Sequence, residues 1–432
     1  MTPDTLPKPN EEQAEMPREV ADPADERAPV DPALFEEVPE EPPYMRAVAT
    51  TPLHLETAAE SRTNRWTGWN GYTVPEVLSD LADEYRALRG AAVLMDLSPL
   101  VKYRIAGRDA LACLERLLAV RVAPLAIDRS RHVIFCDGGG FVLGDGLLFR
   151  LAEDEYRLVA EEAHFAWLTD SAEGFRVRIE DVSATLAVLA LQGPYSCFMF
   201  SGLGIEDMAA LAPGAARWIA IGGMPVYASR TGATGDLGYE LWCDAEDAPH
   251  VWREVMTKAA PFGLKPAGFA LRELARLEAG HPRAGHDYLS AFAAIDPRDA
   301  LQPASVWPGF VLDPSKGLFN GGAALRAAGG IVPARRVVRL AVEGLEPVRF
   351  AAISLGGRVV GTATSTGFSP ALGANIALAT IETAVAGAGG LSVAAERKEG
   401  ISVSEFRLPA RLLREPAFSH PRRFTVPAPS RG

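Results

Sequence analysis

Asp145 is flanked by glycine in the run Val142-Leu143-Gly144-Asp145-Gly146-Leu147-Leu148-Phe149, just after Gly138-Gly139-Gly140. The run reads as a tight turn opening a buried strand. Its one carboxylate is either an acid at a reacting centre or a cap on its own turn. His132 starts the apolar stretch Val133-Ile134-Phe135. An imidazole changes charge between about pH 5 and 8, so His132 could protonate a leaving alkoxide or thiolate. The other reading is a hydrogen-bonded wall residue. Glu240 sits among Leu237, Tyr239, Leu241 and Trp242, which predicts burial. A fixed carboxylate offers a planar pair of acceptors to a donor fork; a solvated charge at a strand end is the alternative. Arg272 and Arg276 are one helical turn apart and share a face. Their guanidinium forks suit a ligand carboxylate, or a structural pair with Glu273 or Glu278. Trp66, Trp69 and Tyr72 follow Arg62 and Arg65. They could box a cationic methyl donor, with Tyr72 protonating a departing oxygen, or simply pack a core. Trp307 is a candidate for a further wall.

Periodicity supplies the elements that would position these groups. Pro75 to Leu88 carries Leu78, Leu81, Tyr85 and Leu88 at helical spacing, and Asp109 to Val120 repeats the pattern. Lys102 to Ile105 alternates as a strand ending at Gly107. Strands are predicted over 132–135, 146–151 and 156–160, with turns at Asp137–Gly140 and Glu153–Asp154. A helix over 163–171 and a strand over 175–180 follow. Residues 102–183 thus contain the β-α-β-β-α-β, ferredoxin-like order. A further α/β region has strands 224–229 and 239–243 and helices 246–259 and 267–279. After Pro333 come short β runs with glycine turns, at 337–342, 351–355, 359–363, 376–380 and 391–394. They predict a separate antiparallel barrel.

The chain has 432 residues and a net charge of −12. Residues 1–47 hold thirteen Asp or Glu against four Lys or Arg, so most of that charge lies in a proline-rich tail. Such a tail buries too little apolar area to offset its ordering entropy and is expected to be disordered. The near-neutral body argues against a nucleic-acid surface. Cys113, Cys136, Cys197 and Cys243 form no CxxC pair and no His/Cys cluster, so no metal site is expected. No stretch of roughly 18 apolar residues predicts a membrane span. The acidic start is unlike a signal peptide. A cytoplasmic protein, with neither nucleic acid nor membrane as partner, is the expectation.

Many short segments occur here in one order. They begin with Thr51-Pro52-Leu53, Trp69-Asn70-Gly71-Tyr72, Met95-Asp96-Leu97-Ser98-Pro99-Leu100 and the Gly-Asp turn. Ala190-Leu191-Gln192-Gly193-Pro194, Arg230 to Leu241, Pro266-Ala267-Gly268 and Arg272-Glu273 follow. Arg276 to Gly280, Gly285-His286-Asp287, Lys316 to Gly321 and Ser365 to Pro370 complete the series. In that order, over roughly 51–412, the chain resembles the aminomethyltransferase (glycine cleavage T-protein) superfamily. The resemblance implies an α+β, three-domain clover-leaf with a ferredoxin-like domain and a C-terminal antiparallel β-barrel domain. Its domains would be 48–101 plus 184–287 for folate, 102–183 plus 288–330 ferredoxin-like, and 331–415 for the barrel. Independently of the resemblance, the Pro- and Arg-rich end, residues 416–432, is expected to be a loose tail.

The resemblance also implies tetrahydrofolate as cofactor. Glu240 falls at the pterin carboxylate position and Arg272 at the glutamate-tail arginine. Arg276, Trp69 and Leu100 are further cofactor-binding candidates. Asp145, His132 and Tyr72 are the candidates at the reacting centre. Aminomethyltransferases carry two consecutive acids where this chain has Gly144 and Asp145, and the first is implied to sit near folate N5. In its Gly-Asp-Gly arrangement the chain resembles the methoxy-aromatic demethylases of the superfamily. Ala233, His132 and Leu100 stand where the family often has an aromatic residue, tyrosine and methionine. Leu318 replaces the cysteine that follows Lys-Gly in iron–sulfur assembly relatives. The leading expectation is therefore a tetrahydrofolate-dependent demethylase of a small O-, S- or N-methyl compound. The alternatives are aminomethyl transfer from a lipoyl carrier protein, and a folate-binding assembly or regulatory protein without turnover.

Overall fold

The computed structural model describes residues 49–426, apart from 297–298, 330–331, 345–346, 348 and 400–401. The acidic tail lies outside the described residues.

A six-stranded sheet runs in the order Ala216–Ile221, Met224–Ser229, Gly238–Asp244, Leu186–Gln192, Ala92–Asp96, Leu264–Pro266. Its centre is the nearly continuous apolar strand Leu186–Gln192, as a strand covered on both faces requires. Ala187, Leu189 and Leu191 enter one core with Trp252 and Val255 of helix Ala248–Ala259. Val188 and Ala190 enter the opposite core, with Leu88 of helix Leu81–Gly90 and Leu271 of helix Phe269–Ala279.

A five-stranded antiparallel sheet runs Arg129–Cys136, Val142–Ala152, Glu155–Ala160, Val101–Ala106, Arg178–Asp181. Its last four members keep the ferredoxin-like order, and Arg129–Cys136 is an added edge strand. The C-terminal region is a closed six-stranded antiparallel barrel. The strand that closes it, Ser402–Leu413, pairs with both Leu391–Glu399 and Arg335–Val342. The fold class is therefore the one expected.

Several local expectations change. The helix expected from Pro75 begins only at Leu81, because Pro75 to Val77 belong to strand Tyr72–Val77. Asp80 starts the helix by accepting hydrogen bonds from the amides of Ala82 and Asp83. The Gly144-Asp145-Gly146 segment is not a turn but the interior of strand Val142–Ala152. The turn is at Asp137 to Gly140, closed by the Gly140 amide donating to the Asp137 carbonyl at 3.1 Å. The expected loose end does not hold for 415–426. There the Phe418 amide donates to the Glu278 carbonyl at 3.0 Å and the His420 amide to that of Gly235 at 2.8 Å. Arg422 grips the Asp236 carboxylate with Nε at 2.5 Å and Nη2 at 2.7 Å.

Candidate functional site

Asp145 owes its direction to an irregularity of strand pairing. Phe135 pairs with Gly144 but Cys136 pairs with Val142, so Leu143 is one residue too many on its strand. This β-bulge reverses the alternation of side chains at that point. Leu143 lies in the core with Phe135 and Leu168. A Cβ on Gly144 would point the same way, 2.6 Å from His164 Nε2 and 2.7 Å from Phe135 Cζ. Asp145 then faces a cavity of about 640 Å³. The residue whose missing acid favoured demethylation is thus turned away from the cavity, and the retained acid faces it.

Asp145 is held on both oxygens. His132 Nε2 lies 2.6 Å from Oδ2, with the carboxylate as acceptor. The Tyr288 hydroxyl donates to Oδ1. Burial, and then the Asp145 charge, push the Tyr288 pKa well above that of an ordinary phenol, so it stays a donor. Trp307 meets His132 and Tyr288 edge-on, at centroid distances of 5.2 and 5.5 Å. Burial pushes His281, another cavity residue, down to about 4, so it is a neutral imidazole at physiological pH.

Glu240 lines the same cavity. Thr231 Oγ1 donates to its Oε2 at 2.5 Å, and Ser229 Oγ lies 2.7 Å from the Thr231 hydroxyl. Trp242 Nε1 donates to Ser229 at 3.0 Å, which completes the chain of support. Gln192 Nε2 donates to the Thr231 and Tyr239 carbonyls at 3.1 and 3.2 Å, tying loop to strand. A Cβ on Gly232 or Gly238 would come within 2.1 or 2.0 Å of the Gln192 side chain, which explains both glycines. Burial raises the Glu240 pKa; Thr231 and Arg272 oppose the shift. An ionised Glu240 is therefore a carboxylate short of solvation, fit to accept hydrogen bonds from a ligand.

The two arginines of helix Phe269–Ala279 are already engaged. Arg272 pairs with Glu161 and, at 2.8 Å, with Glu273, while its guanidinium lies 4.3 Å from the Trp69 ring centroid. Arg276 makes five hydrogen bonds: two to Glu273, and one each to Asp287, Ser365 and the His281 carbonyl. A guanidinium has five N–H donors, so none is spare. Burial would raise Glu273, yet Arg276 and then Arg272 hold it below the usual carboxylate range. Both arginines line the cavity, but Arg276 serves as a tie between helix, loop and barrel.

The cavity brings together Asp145, His132, Glu240, Arg272, Arg276 and Leu100. Trp69 is buried behind Arg272 and does not line it. Tyr72 pairs with Trp69 across a hairpin and packs on the cluster around Leu97 and Leu271, also outside the lining. Trp66 and Trp69, three residues apart on one strand, point to opposite faces. Trp66 packs on His54 at 4.9 Å, so the three aromatics form no box. Sequence reasoning missed Tyr288, Thr231, Glu161 and His281. Only proximity in space distinguishes them.

Residues 53–297 match the GCVT N-terminal domain family, and residues 335–418 the glycine cleavage T-protein C-terminal barrel domain. The chain belongs to the glycine cleavage T-protein family. A Moorella thermoacetica protein named aminomethyltransferase is 33% identical over 354 residues, covering 80% of this chain and 93% of its own length. A Thermus thermophilus protein of the same name is 33% identical over 344 residues, covering 78% and 92%. Among solved structures, the glycine cleavage system aminomethyltransferase T of Bartonella henselae superposes with a TM-score of 0.75 at 23% identity. It covers 88% of this chain and all of its own, and speaks for the T-protein fold. No helix among the described residues is long and apolar enough to cross a membrane, and none of their His, Cys, Asp and Glu cluster as a metal site would require. A folate-dependent one-carbon transferase is the activity this membership supports.

Proposed function

We propose that the protein transfers an aminomethyl-borne carbon to tetrahydrofolate, the one-carbon acceptor of its family. The observation that carries this reading is the Asp145 carboxylate, aimed into the cavity by the bulge and clamped by His132 and Tyr288. Aminomethyl transfer builds positive charge on the migrating carbon–nitrogen unit. A fixed carboxylate whose donors are already in place stabilises that charge without reorganising. The cavity fits the acceptor: Glu240 supplies planar acceptors at one wall, and Leu100, Leu147 and Trp242 supply apolar surface. When bound, tetrahydrofolate supplies the nitrogens that take up the carbon. Glu240 would hold the pterin donors, with Thr231 fixing its plane. Arg272 stands beside it, shared with Glu161 and Glu273. The donor is a carrier of the lipoyl type, which leaves as its reduced dithiol when the carbon–sulfur bond breaks; the nitrogen leaves as ammonia.

Demethylation is the second reading, and one observation favours it. His132 is bonded to Asp145 and lines the cavity, so it could protonate a leaving alkoxide or thiolate. The two readings differ in product. Tetrahydrofolate is incubated with an aminomethylated lipoyl carrier protein, and separately with methylated amines, sulfonium compounds and methoxy aromatics. Mass spectrometry of the folate is expected to give the 5,10-methylene product with the carrier alone. A 5-methyl product from a methyl donor would overturn aminomethyl transfer in favour of demethylation. Asp145→Asn is expected to slow turnover roughly 10²- to 10³-fold while tetrahydrofolate affinity stays within a few-fold. Undiminished turnover would remove Asp145 from the reacting centre.

A further inference from the structure

Two imidazoles line the cavity, His132 and His281, and the charge of the first reaches the second. Their surroundings set them apart. Among the described residues, His281 has no carboxylate within ion-pair distance. Burial, and then the charges of Arg423, His132 and Arg276, push it down to about 4, against the pull of Asp145. A ring that stays neutral at physiological pH is a poor proton carrier. His132 has the opposite setting. It pairs with Leu147 across the strands, which puts it diagonal to Asp145 on the cavity face.

The contact with Asp145 fixes one edge of the His132 ring. Nε2 lies 2.6 Å from Asp145 Oδ2, and an ionised carboxylate only accepts, so Nε2 carries the hydrogen. Asp145 is itself held in place: the Tyr288 hydroxyl donates to Oδ1, and burial keeps that phenol protonated. The Trp307 ring, edge-on at 5.2 Å, bounds the imidazole on another side. Nδ1 is therefore the bare, basic nitrogen of the neutral ring. Among the described residues it has no hydrogen-bond partner, and the His132 side chain is 48% exposed on the cavity wall.

Resting on the aminomethyl reading above, we propose that His132 is the proton carrier of the transfer, with Nδ1 as the working atom and Asp145 and Tyr288 as the residues that fix its tautomer. His132 Nδ1 takes the proton from the folate nitrogen as that nitrogen bonds to the aminomethyl carbon. The electron pair of the breaking carbon–sulfur bond stays on sulfur, and His132 then hands the proton to that thiolate. The same exchange serves the second folate nitrogen, whose proton leaves with ammonia. The imidazolium formed in between faces the Asp145 carboxylate through a charge-assisted hydrogen bond that is already in place. His281 has no such partner and stays a neutral wall.

The first test needs neither folate nor donor. Nitrogen-15 NMR of the histidine-labelled full chain, above about pH 8 where a free imidazole is neutral, reads the tautomer of His132, assigned by its loss in His132→Gln. Wild type is expected to show the Nε2–H form, and Asp145→Asn a mixture. The second test is kinetic. His132→Gln keeps a donor for Asp145 but has no basic nitrogen, so turnover with the aminomethylated carrier should fall roughly 10²- to 10⁴-fold, with tetrahydrofolate affinity within a few-fold of wild type. His132→Ala should regain about tenfold or more of its lost turnover with free imidazole in solution, and His132→Gln should not. An Nδ1–H tautomer in wild type, or turnover in His132→Gln within a few-fold of wild type, overturns the proposal. So does a loss in His132→Ala that comes with lost folate affinity and no rescue, which marks a wall residue. The aminomethyl reading fails separately, on a 5-methyl folate product, and that outcome leaves the tautomer measurement untouched.

Discussion

Glu240 shows how a binding group is set against stability at the level of one residue. Its raised pKa means that the folded protein holds the proton more tightly than the unfolded chain does. Ionisation therefore removes stability as pH rises from the unfolded carboxylate range through the raised value. Glu240→Gln keeps an acceptor for Thr231 and removes the buried charge. The variant is expected to melt at or above the wild-type temperature at pH 7, with the gap closing toward pH 5. It should lose tetrahydrofolate affinity at least tenfold. Calorimetric melting and ligand titration check both halves; a lower melting temperature with unchanged affinity would sink the assignment. The burial of Glu240 was legible from Tyr239, Leu241 and Trp242. Its partner Thr231 was not, because nothing in the sequence distinguishes that hydroxyl from Thr234 three residues on.

At the scale of the element, the bulged strand Val142–Ala152 decides which acid does chemistry. Three glycines followed by Gly-Asp-Gly look like turn material, yet only the first group turns the chain. Gly144 is needed because its Cβ would collide with His164 and Phe135. Gly146 is needed because its own would meet the Val159 carbonyl at 2.4 Å. Gly144→Ala is therefore expected to destabilise by about 1–3 kcal/mol through overpacking, with turnover and folate affinity within twofold of wild type. Gly144→Asp should lose more stability, because it adds a charge to an apolar side of the sheet. Thermal melts and steady-state kinetics separate the effects. A collapse of turnover in Gly144→Ala at unchanged melting temperature would mean that position 144 faces the reaction after all. The same element explains why the demethylase expectation weakened. Adjacent acids on a regular strand point to opposite faces, so losing one need not take a carboxylate from the cavity.

Across the whole molecule, an ionic network joins helix Phe269–Ala279, the 281–288 loop and the barrel. Asp287 accepts from Arg276 at 2.7 Å, from Thr364 at 2.7 Å and from Ser365 at 2.5 Å. Burial would raise the Asp287 pKa, but His286, Arg276, Ser365 and Thr364 hold it well below the ordinary range. A depressed carboxylate contributes stability that is fully present above its unfolded pKa and is lost as pH falls toward the folded one. Asp287→Asn leaves the buried Arg276 short of an anion and is expected to destabilise by about 3–5 kcal/mol at pH 7. The difference should shrink steadily below about pH 4, where the unfolded carboxylate takes up its proton. Melting curves from pH 7 to pH 3 check this; parallel wild-type and variant curves would show that the network carries no pH-dependent stability.

The sequence by itself determined the family, the mixed α/β and barrel architecture, and the presence of Asp145, His132 and Glu240 as groups worth following. These rest on order along the chain, on periodicity and on immediate neighbours, all short-range properties. The tertiary structure alone decided that Asp145 faces the cavity while Gly144 does not, and that Tyr288 clamps that carboxylate from 143 residues away. It also assigned Arg276 to acids on its own helix and the following loop, and brought the C-terminal segment over the cavity. Register, bulges and ion pairing depend on which distant strands and side chains meet, and folding alone sets those meetings.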